Sequence, residues 1–129
     1  MVIDTSALLA IFLAEAEREP FLDAISAAPG CLLSAANALE TGIVLEARRG
    51  EALGREFDLF VYRAALQIVP VDVEQVEIAR RAWRRFGKGR HPAALNFGDC
   101  FAYALAQSSG EPLLAKGADF RQTDVELAL

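Results

Sequence analysis

Four short apolar runs, VI at Val2–Ile3, CLLS at Cys31–Ser34, IVPVD at Ile68–Asp72 and PLLAK at Pro112–Lys116, are separated by long stretches of helical periodicity. A chain with that rhythm has few ways to bury its strands. They must lie side by side in one parallel sheet, joined by crossover helices that cover both faces. With 129 residues, 53% of them hydrophobic, residues 1–129 make a single domain. Such a chain buries roughly two thirds of its unfolded surface. No repeat or low-complexity segment interrupts the pattern.

Local signals place the helices. Asp4-Thr5-Ser6 offers an N-cap for a helix running to about Leu13, and a second helix covers about Glu19–Ala28, closed by Pro29-Gly30. Ala35–Arg49 is helical and stopped by Gly50, Gly54–Gln67 forms another helix, and Pro70 puts the third strand at a sheet edge or its own end. Val73–Phe86 is helical, GKGRHP is a loop, Asn96 caps a last long helix, and Ser108–Pro112 breaks it. The amino terminus has no basic leader region, and no apolar run approaches the roughly 20 residues of a membrane span. The expectation is a cytoplasmic protein with no membrane segment. Cys31 and Cys100 lack metal-ligand spacing and read as buried free thiols.

In sheets of this kind ligands bind beyond the carboxyl ends of the strands, so acids at those ends carry weight. Asp4 ends the first strand, Asp99 opens the last long helix, and Asp119 lies in the turn KGADF after the last strand. Each alone also suits a helix cap or a turn. Glu40 is harder to place, because AANALETGIVLEA is nearly all small or apolar and Asn37, Glu40 and Thr41 form one narrow polar stripe. A lone buried carboxylate costs several kcal/mol unless it is paired or metal-bound. Either a basic residue such as Arg63 or a cation must offset it.

Were the four acids to converge, neighbours about 4 Å apart would repel by about 4 kcal/mol per pair at an effective dielectric near 20. A cation would be required. Oxygen ligands without His or Cys suit Mg²⁺ or Mn²⁺ and argue against structural zinc. Carboxylate-held magnesium keeps waters and takes phosphate oxygens, which fits phosphodiester chemistry.

The net charge of −5, from 13 basic and 18 acidic side chains, excludes general coating of nucleic acid. One local excess stands against it: RRAWRRFGKGRH carries Arg80, Arg81, Arg84, Arg85, Lys88 and Arg90 without a single acid. Those cations could hold an RNA backbone. They could equally be the solvated face opposite the apolar stripe Val76, Ala79, Trp83 and Phe86.

Four blocks, MVIDTSAL, ALETGIVLEAR, GKGRHPAALNFGDCFAYALA and PLLAKGADFRQTD, occur in an order and spacing that resemble the PIN-domain ribonucleases, and within them the VapC toxins of bacterial VapBC toxin–antitoxin pairs. The resemblance runs end to end. It implies a three-layer α/β/α sandwich with a central, mainly parallel β-sheet, and a Mg²⁺- or Mn²⁺-dependent endoribonuclease that cuts tRNA or ribosomal RNA to inhibit translation. By position it carries the catalytic and metal-binding acids onto Asp4, Glu40 and Asp99, with Asp119 as the fourth and Asp124 close by in sequence. Ser6, Thr5 and Asn37 would support the site, and Arg84, Arg85, Lys88, Arg90 and Lys116 would contact RNA. A homodimer and a cognate VapB-type antitoxin are implied as partners.

Other readings exist. A PIN-domain nuclease that processes RNA without being a toxin shares the same residues. A phosphotransfer protein with a nucleophilic aspartate also suits a strand-terminal Asp beside Thr, but the haloacid-dehalogenase type wants a second Asp where Ser6 stands. A non-catalytic partner-binding module would use the acids as caps and Phe12, Phe21, Phe57, Phe60 and Tyr62 as core or interface.

Overall fold

In a computed structural model of residues 1–129, β1 (Val2–Ile3) passes into α1 (Thr5–Phe12) through one residue, Asp4, whose carboxylate accepts from the Ser6 N–H. There follow α2 (Arg18–Ala27), β2 (Cys31–Ser34), α3 (Ala35–Arg49), α4 (Glu51–Arg63), β3 (Leu66–Val69), α5 (Val73–Phe86), α6 (Phe97–Ser109) and β4 (Leu113–Leu114). A single 3-10 turn at Phe120–Gln122 comes last. The strands are all parallel in the order β3-β2-β1-β4. Beyond β4 the carboxyl-terminal segment covers the edge: Leu113 N–H donates to the Glu126 carbonyl at 2.8 Å, and its own carbonyl accepts from Ala128 N–H at 2.9 Å. An exposed ladder there would invite pairing with other chains.

Alternation along the strands divides the core in two. Ile3, Leu33 and Leu114 point to one face, where Leu8, Ile11, Phe21, Leu45 and Phe57 from α1 to α4 cover them. Val2 and Leu113 point to the other, against Phe86, Leu95, Leu105 and Tyr103 on the side of α5 and α6. Period-two side-chain direction in two-residue strands is enough to feed both layers. Each fully buried Leu or Ile contributes about 1.5–3 kcal/mol. The result is the expected three-layer sandwich. Both cysteines are free and buried, and no helix is long and apolar enough to cross a membrane.

Two boundaries differ from the sequence reading. α4 begins at Glu51 and ends at Arg63, instead of running from Gly54 to Gln67, and β3 spans Leu66–Val69, with Pro70 just past its end. The cause is Ala65, which takes a φ of 53° without being glycine and so ends the helix at a site no residue type marks. Pro70 does report an edge strand. In β3 only Leu66 is fully buried. Two faces are also wetter than their patterns indicate. Leu39 (65%) and Ile43 (58%) on α3 face solvent, and Val76 and Trp83 on α5 are about half exposed.

Candidate active site

Asp4 sits at the carboxyl end of the central strand, and its backbone N–H donates to the Leu114 carbonyl at 2.9 Å. Its side chain is 2% exposed. Oδ2 accepts from the Ser6 N–H at 2.9 Å and the Ser6 hydroxyl at 2.6 Å, and Ser6 Oγ in turn accepts from the Lys116 N–H at 2.9 Å. Oδ1 is buried with no partner at all. Burial, opposed by the Ser6 hydrogen bonds and reinforced by the charges of Asp99 and Glu40, pushes the Asp4 carboxyl up to about 7. A carboxylate is therefore held where its charge is least welcome.

Glu40 comes from α3, one turn beyond the fully buried Asn37. The Asn37 amide donates to the Gly98 carbonyl at 3.0 Å and, more weakly, to Glu40 Oε1 at 3.4 Å, tying α3 to the start of α6. Thr41 and Thr5 hydroxyls both donate to the Asn37 carbonyl, at 2.8 Å and 3.5 Å. The polar stripe is thus an internal brace with Glu40 at its open end. Arg63 does not pair with Glu40; it lines a cavity of about 650 Å³ between α2, β2 and the end of α4, which holds none of the four acids. A Cβ at Gly98 would collide with the Glu40 carboxylate where it now stands, so glycine leaves that carboxylate room against the start of α6.

Asp99 does act as a helix cap. Asn96 Oδ1 accepts from the Asp99 N–H, and Asp99 Oδ2 accepts from the Asn96 N–H, both at 2.9 Å. Yet burial raises its carboxyl above the usual range, against the Asn96 hydrogen bond, and Asp119 and Glu40 raise it further. Cap and cluster member are one residue. Asp119, exposed at the start of the 3-10 turn, is the fourth acid that bears on Asp99. Asp124 belongs elsewhere. It accepts from the Tyr103 hydroxyl at 2.6 Å and pairs with Arg85 at 3.2 Å, contacts that hold its carboxyl below the usual range despite the opposing effect of burial.

The basic residues do not form one patch. Arg85 is spent on Asp124 and lies over the Phe86 ring at 4.6 Å. Lys116 pairs with both Glu15 and Glu17 in the α1–α2 connection. Arg90 instead lies over the Trp83 ring at 4.7 Å and donates to the Arg84 carbonyl at 3.3 Å, while Lys88 is exposed at the mouth of a cleft between α5 and α6. Besides Gly98, sequence reasoning missed Ser34, which ends β2 fully buried with its hydroxyl unpartnered. Only its place at a strand's carboxyl end could have marked it.

As they stand, no three of these acidic side chains close on one point. The donors nonetheless fit a hard cation: they are oxygens only, one buried carboxylate oxygen is orphaned, and the acids raise one another's affinity for positive charge. Acids from the end of β1, the second turn of α3, the first turn of α6 and the turn after β4 bear on one another, and the class follows: residues 1–126 match the family model for the PIN domain, and the chain is a PIN-domain protein. The matches to its relatives span nearly the whole of both sequences. It is 55% identical over 125 residues to "Ribonuclease VapC" of Mycolicibacterium smegmatis, covering 97% of each chain. To "Ribonuclease VapC30" of Mycobacterium tuberculosis it is 54% identical, covering 97% of this chain and 95% of that one. The chain belongs to the VapC ribonucleases.

Solved structures agree on the fold. The sarcin-ricin loop cleaving toxin VapC20 of Mycobacterium tuberculosis superposes with a TM-score of 0.78 at 18% identity, over 96% of this chain and 95% of that one. VapBC2 of Rickettsia felis, bound to a DNA fragment from its promoter, gives 0.75 at 12% identity, over 98% and 95%.

Proposed function

We propose that this ribonuclease is a Mg²⁺- or Mn²⁺-dependent endonuclease that cuts tRNA or ribosomal RNA in the cytoplasm and so inhibits translation, as the toxin of a VapBC pair. The observation that carries the metal dependence is the orphaned, buried Oδ1 of Asp4, on a carboxyl group whose ionisation the charges of Asp99 and Glu40 oppose. Asp4, Glu40, Asp99 and Asp119 would hold the ion, which supplies charge neutralisation at the phosphate and an acidified water for hydrolysis.

The chain's own groups set the stage. Ser6 fixes Asp4 Oδ2 by two hydrogen bonds and leaves Oδ1 as the free ligand atom. Asn37 holds Glu40 beside Gly98, and Asn96 fixes Asp99 Oδ2. Asp4 and Asp99 are thereby oriented before RNA arrives, which lowers the reorganisation that hydrolysis would otherwise require, while Glu40 is held more loosely.

For partners, the Rickettsia neighbour is a toxin–antitoxin complex, which supports a VapB-type antitoxin here. The exposed Leu39, Ile43 and Phe97 make an apolar face beside the site that supports a homodimer. The test is cleavage of a mixed tRNA and ribosomal RNA pool by antitoxin-free protein with Mg²⁺ or Mn²⁺, with EDTA and Asp99→Asn as controls. Discrete fragments, absent in both controls, are expected. Full cleavage by Asp99→Asn overturns the assignment.

A further inference from the structure

Of the five buried side-chain oxygens that lack a hydrogen-bond partner, three belong to one place: Asp4 Oδ1, Ser34 Oγ and Asn37 Oδ1. All three residues are fully buried. The pairing of Val2 with Leu32, carried two residues further along the parallel strands, sets Ser34 beside Asp4 with both side chains on one face of the sheet. Ser34 is also the N-cap of α3 and Asn37 its third residue, the two positions whose side chains meet in a capping box. Ser34 thus stands between the other two. Its hydroxyl nevertheless makes no cap bond, although that bond is what favours serine at such a position. On the far side the Thr5 hydroxyl donates to the Asn37 carbonyl at 3.5 Å, which ties the start of α1 to the first turn of α3.

The bonding capacities decide what joins these atoms. The Asn37 side-chain nitrogen donates to the Gly98 carbonyl, which can only accept, so the amide oxygen is fixed as a free acceptor. Ionised Asp4 Oδ1 is an acceptor too, and Ser34 brings one hydroxyl that reaches neither. A water molecule has the complementary set: two hydrogens for the two acceptors and a lone pair for the hydroxyl hydrogen. A bare divalent cation matches less well, because only one of the three oxygens is charged and magnesium gives up its own waters reluctantly. We infer that Ser34 is a positioning residue of the nuclease site, holding with Asn37 a buried water that donates to Asp4 Oδ1. Ser6 fixes the other carboxylate oxygen, so Asp4 is then oriented through both, and Oδ1 keeps a second lone pair for the cation. Hydrogen bonds of this kind align metal-ligating carboxylates, and losing one costs about 10–100-fold in metal affinity. All three side chains lie inside a single chain, so the arrangement does not depend on what docks outside it.

The inference rests on the metal-dependent nuclease reading, and the experiment separates the two. A crystal structure of the wild-type protein grown in EDTA should show one water about 2.8 Å from each of Ser34 Oγ, Asn37 Oδ1 and Asp4 Oδ1. In calorimetric titration with Mn²⁺, Ser34→Ala and Ser34→Cys, which lack a strong donor, should bind at least about tenfold more weakly than wild type. Ser34→Thr keeps the hydroxyl and should bind like wild type. A hydroxyl that merely filled space would leave the Cys variant unaffected. Absence of the water from the wild-type crystal overturns the inference without any variant having to fold, as does an anomalous Mn²⁺ peak at that point in crystals soaked with the metal. Should Ser34→Ala and Ser34→Cys bind Mn²⁺ as tightly as a wild type that cuts RNA, the positioning role falls and the nuclease reading stands. A wild type that binds no Mn²⁺ overturns both.

Discussion

At the scale of single residues, Asp4 sets a linkage whose sign can be worked out. Its folded-state pKa of about 7 lies above the ordinary value of 3.8, so between those pH values the folded chain binds more protons than the unfolded one. Stability of the metal-free protein should therefore fall as pH rises from about 4 to 7, by at most about 4 kcal/mol. Urea unfolding in EDTA at pH 5 and pH 8 measures it, and Asp4→Asn should flatten the difference while abolishing cleavage. A wild type more stable at pH 8 would contradict the burial of that charge. Gly98 gives a complementary case. In Gly98→Ala the Glu40 carboxylate must move, and because it is the end of a flexible side chain the stability change should stay within about 1 kcal/mol, while cleavage drops at least about tenfold. Asp4 and Asp99 stood out in the sequence by their places at element junctions, and Glu40 as an acid on a nearly apolar helix. Gly98 and Ser34 were not, since their roles exist only once α3 meets α6 and β2 lies beside β1.

At the scale of elements, the helix that begins at Asn96 is the clearest success of local rules, because a capping box is written in consecutive residues. The α4–β3 junction is the counter-example: Ala65 adopts a left-handed conformation that composition does not announce. The basic run in α5 shows a third outcome. Its charges were visible but their division was not, since Arg85 finds Asp124 only after the carboxyl-terminal segment folds back across Tyr103. That segment separates two acids the sequence left together. Asp124→Asn should cost about 1–3 kcal/mol in a chemical melt and leave specific cleavage unchanged, whereas Asp119→Asn should do the reverse. The opposite pairing of effects would exchange their roles.

At the scale of the molecule, strand order followed from rhythm alone as far as a parallel sheet with helices on both faces, while its order β3-β2-β1-β4 required knowing which edge Pro70 guards and which the chain end covers. The expected metal response belongs here too. At a hundredfold excess over its dissociation constant, Mn²⁺ should stabilise the fold by about 2.7 kcal/mol, read as a rise in Tm that Asp99→Asn reduces. No shift at millimolar metal would leave the acids as caps. The central position of β1 carries a further meaning for how such an enzyme is made. Asp4 and Leu114 lie more than a hundred residues apart, yet their backbones are joined by a hydrogen bond, and the charge of Asp119, beyond β4, bears on Asp99. The candidate site is thus assembled from residues far apart in sequence, and it takes shape only once β1 and β4 have paired.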